Sequence, residues 1–180
     1  MKNDLPEFLQ AITFAAKKHK RQKRKGADEE PYINHVLEVA NLLANVGKVK
    51  DYDVLIAAVL HDTVEDTATT AEEIAGKFGA NVSSMVLEVT DDQSLPKARR
   101  KQLQIEHAPH LSTGAKLIKL GDKISNIRDV SENPPDGWSK ERRLEYINWG
   151  ESVINGLRGA NADLEIHFDE LIASAKEKFQ

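Results

Sequence analysis

The sequence predicts an all-α fold of about eight or nine helices, and three observations carry that prediction. Apolar residues recur at intervals of three, four and seven along nearly the whole chain. No stretch alternates apolar and polar residues as a half-buried strand does. Helix caps and glycine or proline breaks divide the chain into helix-length pieces.

Each element follows in order. Asp4-Leu5-Pro6-Glu7 reads as a helix start, an acidic cap with a glutamate three residues on, and Phe8, Ile12, Ala15, Ala16 and His19 continue at helical spacing. Gly26-Ala27-Asp28-Glu29-Glu30-Pro31 breaks the pattern. His35, Val39, Leu42, Leu43 and Val46 then share one face, with Gly47 as a stop. Residues 54–60 are apolar without interruption, and their alanines favour a buried central helix ending near His61-Asp62. Thr70-Ala71-Glu72-Glu73 is a capping box, and Phe78-Gly79 closes the helix it opens. Val82, Met85, Val86 and Val89 form a stripe before Thr90-Asp91-Asp92. A helix over 96–108 carries Lys97, Arg99, Arg100 and Lys101. Over 113–130, Leu117, Leu120, Gly121, Ile124 and Ile127 lie on one side and Lys119, Asp122, Asn126 and Asp129 on the other. Residues 131–138, with Pro134-Pro135, read as a loop. A long helix runs over 139–159, and a last one buries Leu164, Phe168, Leu171, Ile172 and Ala175.

At 180 residues the chain is read as one domain, 1–180, large enough to bury a core without staples. The absence of cysteine excludes disulfides, zinc–thiolate sites, iron–sulfur clusters and thiol nucleophiles. No apolar run spans a membrane, and Met1-Lys2-Asn3-Asp4 leads into no signal core, so a cytoplasmic setting is expected. Twenty-five basic residues against 29 acidic give a net charge of −4, which argues against a general nucleic-acid binder. Seven of those basic residues crowd into positions 17–25; without them the remainder carries −11. Such a run is either a solvated helix end or a patch for phosphates, RNA, a membrane surface or an import receptor.

The chemistry concentrates in residues 61–67, His-Asp-Thr-Val-Glu-Asp-Thr, directly after the apolar helix. Charged groups at a buried helix end need partners, and a divalent cation satisfies a histidine and an aspartate together. Helical spacing sets Glu65 four residues after His61 and Asp66 four after Asp62, on one rim. The alternative is a capped helix end with exposed carboxylates. His35 sits on an apolar face, where a lone histidine is ordinarily a hydrogen-bonded core residue, and the stripe holding Asp122 would ordinarily be solvated. Taken together, His35, His61, Asp62 and Asp122 make a two-nitrogen, two-oxygen set suited to Mn²⁺, Fe²⁺ or Zn²⁺ more than to Ca²⁺.

The order His35, His61-Asp62, Asp122 resembles the HD superfamily of metal-dependent phosphohydrolases. The heptad at 61–67 resembles more specifically the hydrolase domain of the RelA/SpoT alarmone enzymes, nearest to the stand-alone metazoan SpoT-homologue type and its small bacterial counterparts. The likeness takes in Arg24-Lys25, residues 31–35, 88–92 and 116–129, Gly137-Trp138-Ser139 and residues 145–149, nearly the whole chain. One departure is Gly121, where alanine is usual, which should loosen its helix by up to ~1 kcal/mol.

The resemblance implies one HD-domain helical bundle that hydrolyses guanosine 3′,5′-bis(diphosphate) to GDP and pyrophosphate, with one Mn²⁺ ion per chain. It implies His35, His61, Asp62 and Asp122 as ligands and Glu65 and Asp66 as the catalytic acidic pair. Arg24, Lys25, Asn126 and Tyr146 would hold the nucleotide, with Lys97 and Arg142 as further candidates for its phosphates. Long family members add synthetase and regulatory domains, for which 180 residues leave no room, so degradation without synthesis is expected. The partner is then a phosphorylated guanine nucleotide, with neither nucleic acid nor membrane; nothing in the residues reports oligomeric state. Two rivals stand beside this reading. One is an HD phosphohydrolase acting on another nucleotide, such as the 2′-phosphate of NADPH. The other is a non-catalytic module binding RNA or an acidic membrane through a basic helix.

Overall fold

The computed structural model describes residues 4–26 and 28–179; Met1-Lys2-Asn3, read above as no signal sequence, lies outside them with Ala27 and Gln180. Among the described residues, nine α-helices of two turns or more and one single turn make up the fold: α1 (Asp4–Lys18), α2 (Ile33–Asn41), α3 (Tyr52–Leu60), α4 (Thr63–Asp66, the single turn), α5 (Ala71–Phe78), α6 (Ala80–Val89), α7 (Lys97–His107), α8 (Thr113–Glu132), α9 (Lys140–Asn155) and α10 (Ala162–Glu177). Among the described residues there is no strand, only isolated bridges between Lys23 and Pro31 and between Gly26 and Pro135. The all-α expectation holds.

Two helices organise the rest. In α3 every residue from Val54 to Leu60 is buried, which is why its sequence shows no polar face. It packs against α1, α2, α6 and α8. Asp51 caps its start by accepting the Asp53 amide at 2.9 Å. At its end the Thr63 hydroxyl donates to the Leu60 carbonyl oxygen at 2.6 Å, satisfying an acceptor the helix leaves free. The 20-residue α8 packs against α2, α3, α6, α9 and α10 and buries Ile118, Leu120, Ile124 and Ile127 completely. Each such side chain stabilises the fold by about 1.5–3 kcal/mol, so Ile124→Ala should cost about 2–5 kcal/mol.

Two expectations need correction. The loop placed at 131–138 starts later, because α8 continues to Glu132 and the Asn133 amide donates to the Asp129 carbonyl oxygen. The helix expected over 139–159 stops at Asn155, where Gly156 and Leu157 close tighter turns onto Val153 and Ile154. The polar side of α8, which taken alone would ordinarily be solvated, is buried at Lys119, Asp122 and Lys123, and these residues line a cavity.

Gly121 has a reason in the packing. α2 passes into a π-helical turn, Leu42–Val46, that presses Leu43 onto α8. A β-carbon at Gly121 would lie 2.5 Å from Leu43 Cδ1 and 3.2 Å from Val39 Cγ1. The glycine thus exchanges helix propensity for a close approach between α2 and α8, the two helices that carry His35 and Asp122. No helix among the described residues is long and apolar enough to cross a membrane.

Candidate active site

Four side chains meet where α2, α3 and α8 converge. His35 comes from the first turn of α2, His61 from the end of α3, Asp62 from the turn into α4 and Asp122 from the middle of α8. His35 Nε2 lies 3.3 Å from Asp122 Oδ1 and 3.6 Å from Asp62 Oδ2. His61 Nε2 lies 2.9 Å from Asp62 Oδ2 and 3.7 Å from Asp122 Oδ1. Ligands about 2.1 Å from one ion stand roughly 3.0–3.5 Å apart; His35, His61 and Asp62 lie close enough together to share a cation, and Asp122 stands beside both histidines.

The hydrogen bonds around the two rings strengthen the fit. His61 Nδ1 bonds the Ala58 carbonyl oxygen at 2.8 Å, and a carbonyl only accepts, so the proton sits on Nδ1. Ser125 Oγ donates to Glu38 and therefore accepts from His35 Nδ1 at 2.9 Å. Both Nε2 atoms are buried with no hydrogen-bond partner. Two bare nitrogens facing two carboxylates need a positive charge between them, and a bound divalent ion supplies it. A proton is the smallest substitute: burial pushes the His61 imidazole down, but Asp62 and Asp122 carry it up to about 10. Burial keeps His35 below the ordinary histidine range. Burial would raise Asp122, yet Lys123, donating to its Oδ2 at 2.9 Å, holds it well below the usual carboxylate range.

Above this cluster opens a cavity of about 370 Å³. His61, Asp62, Glu65, Asp66 and Asp122 all border it, as do Arg24, Lys25, Asn126, Tyr146 and Lys97; His35 lies behind them. Glu65 is pinned by the Asp91 amide at 2.8 Å and Gln93 Nε2 at 2.6 Å. Burial, against the Asp91 amide bond, pushes its carboxyl up to about 7. Asp66 is exposed at the rim and accepts from Gln22 Nε2 at 2.7 Å. Arg142 does not border the cavity; its guanidinium stacks 4.4 Å from Trp138, which does.

The lining also holds residues that sequence reasoning did not single out as site residues. Lys101 Nζ lies 4.5 Å over the Trp149 ring and 5.2 Å over Tyr146. Lys123 faces Trp149 at 4.8 Å, and buried Lys119 donates to the Val89 carbonyl oxygen at 2.9 Å. Burial and then a neighbouring lysine depress both Lys101 and Lys119, cations that a polyanionic ligand would stabilise. Tyr32 is another addition, its hydroxyl donating to Asp62 Oδ2 at 2.6 Å. The only sequence signal for these groups was indirect: the basic cluster of α7, and lysines one residue after and three before Asp122.

The basic run at 17–25 is not a basic helix. α1 ends at Lys18, whose Nζ pairs with Glu73 at 2.8 Å, and Lys23 pairs with Glu29 at 2.6 Å. Arg24 turns inward to Asp129 and, at 3.0 Å, to Asn126 Oδ1. Asn126 in turn donates to Asp122 Oδ1, so its amide bridges the arginine and the cluster.

An all-helical fold that gathers paired histidines and aspartates beneath a cation-walled cavity defines an HD-type metal-dependent class. The chain belongs to the HD domain family, whose pattern it matches over residues 11–146. It is 53% identical over 171 residues to the guanosine-3′,5′-bis(diphosphate) 3′-pyrophosphohydrolase MESH1 of Xenopus tropicalis, covering 95% of this chain and 96% of that one. The Homo sapiens protein of the same name is 50% identical, with 92% of each chain covered. A solved metazoan orthologue of SpoT, described as hydrolysing ppGpp, superposes with a TM-score of 0.91 at 47% identity, covering 93% of this chain and 94% of its own. The resemblance read from the sequence is borne out.

Proposed function

We propose that this chain is a metal-dependent hydrolase of guanosine 3′,5′-bis(diphosphate), acting as one hydrolase domain that releases the 3′-diphosphate as pyrophosphate and leaves GDP. One observation carries the reading: a single cavity joins the His–Asp cluster and two further carboxylates to a wall of lysines over aromatic rings. Its volume of about 370 Å³ falls within the range of small-molecule sites. Relatives at 50–53% identity bear this activity in their names.

His35, His61, Asp62 and Asp122 would hold the ion, which we take to be Mn²⁺. When bound it supplies an acidified water and neutralises charge on phosphoryl oxygens. The remaining work falls to side chains. Glu65, fixed from two sides and raised to about 7, takes the proton of the attacking water. Asp66, held by Gln22, orients that water. The bond between the ribose 3′ oxygen and phosphorus breaks as water oxygen bonds to phosphorus, and the proton from Glu65 returns to the 3′ oxygen. Lys101, Lys119 and Lys123 draw the phosphates to one wall, while Tyr146 and Trp149 offer apolar surface.

The test is turnover of a panel, the guanosine alarmones and NADPH together, with Mn²⁺ and with chelator. Mn²⁺-dependent release of pyrophosphate and GDP is expected. Preference for NADPH, with phosphate released, would transfer the same site to the 2′-phosphate reading.

A further inference from the structure

We propose that Ser125 and Glu38 are positioning residues that set the ion-binding nitrogen of His35 from the far side of its ring; this rests on the metal reading above. His35 and Glu38 lie one turn apart on α2, and Asp122 and Ser125 lie one turn apart on α8. Each helix therefore contributes one ligand and one member of the relay to the same contact. Ser125 is completely buried, its hydroxyl set between His35 Nδ1 at 2.9 Å and a Glu38 oxygen. Arg128, the next turn of α8, donates to the other Glu38 oxygen and fixes the side chain in place.

A carboxylate only accepts, so the serine proton points to Glu38 and its lone pair points to the ring. The ring must then carry its proton on Nδ1, which leaves Nε2 bare toward Asp62 and Asp122. Removing the hydroxyl frees the ring to carry its proton on Nε2, where it blocks the ion. The relay thus acts on metal affinity through His35, without touching substrate.

The test titrates the metal-stripped full chain with Mn²⁺ alone, following the signal of the free ion. Ser125→Ala and Glu38→Gln should each weaken uptake about 10–100-fold, and Ser125→Thr, which keeps the hydroxyl, should bind near the wild-type level. Ser131→Ala, which removes a hydroxyl donating to the Ile127 carbonyl oxygen on the same helix, should bind as wild type and controls for loosening of α8. Wild-type affinity in both Ser125→Ala and Glu38→Gln overturns the relay while leaving the metal reading intact. Equal loss in Ser131→Ala also overturns it. If Ser125→Ala does not fold, Glu38→Gln at the half-buried end of the relay decides alone. A wild-type chain that takes up no Mn²⁺ overturns the metal reading and the relay with it.

Discussion

Arg24 and Asp129, 105 residues apart in sequence, are joined through Arg24 Nε at 2.7 Å to Asp129 Oδ2. The pair fastens the segment after α1 to the last turns of α8, beside the cavity that both helices' neighbours line. The arginine side chain is only 14% exposed. It is therefore not the free surface group that its place in a basic run implied, and its substitution should be felt in folding as well as in binding.

Arg24→Glu should lower stability by about 1–3 kcal/mol, since it sets a carboxylate against Asp129 and leaves Asn126 without its donor. Chemical denaturation reads this directly, beside an increase in KM. A stability change within about ±0.5 kcal/mol, the range of ordinary surface changes, would restore the purely substrate-binding role.

Metal removal should abolish turnover, and purified protein should carry about one divalent ion per chain. His61→Ala and Asp122→Ala should lose both metal and activity, because each removes a quarter of the ligand set proposed here. Full turnover in metal-free buffer would sink the assignment.

Glu65→Gln and Asp66→Asn should lower kcat by about 10²-fold or more with metal content unchanged. For wild type the acid limb of the rate profile should fall at or below about 7, because a bound cation draws a nearby carboxyl down from the value set by burial. That limb should vanish in Glu65→Gln. A parallel effect on the metal-free protein has the opposite sense: a raised carboxyl favours the fold below its unfolded pKa, and that contribution is lost as pH rises through about 7. Wild type should accordingly lose stability relative to Glu65→Gln between about pH 4.5 and 8. An unchanged rate profile in the variant removes Glu65 from proton transfer.

Lys101→Glu should raise KM about tenfold or more and leave stability nearly unchanged, since Lys101 is half-buried over Trp149 and forms no ion pair among the described residues. Steady-state kinetics across salt concentrations check this: wild-type KM should rise with salt, and the variant should respond less. Insensitivity of KM to the substitution would remove this wall from substrate binding.

The helices were legible because their causes are local. The uninterrupted apolar run of α3, the Thr70 capping box and the stripe of α6 each lie within one or two turns, and each became the expected helix. Helix ends were less legible where tertiary packing extended or shortened them, as at Glu132 and Asn155. The heptad at 61–67 was readable for the same reason as the helices. Four of its polar groups lie one turn apart, and all four border the cavity.

The sequence by itself determined the order and type of the helices, the crowding of ligating and acidic side chains at the end of α3, and the likeness that names the family. Periodicity, capping and motif spacing act over a few residues and need no distant partner. Only the tertiary structure decided that Arg24 spends its charge on Asp129, that Lys101 and Lys123 share Trp149, and that Ser125 stands between His35 and Glu38. The polar stripe of α8 shows the physical reason. Its spacing is the same whether it faces water or a cavity, and burial alone, imposed by helices far away in sequence, turns it from a solvated face into the wall of a site.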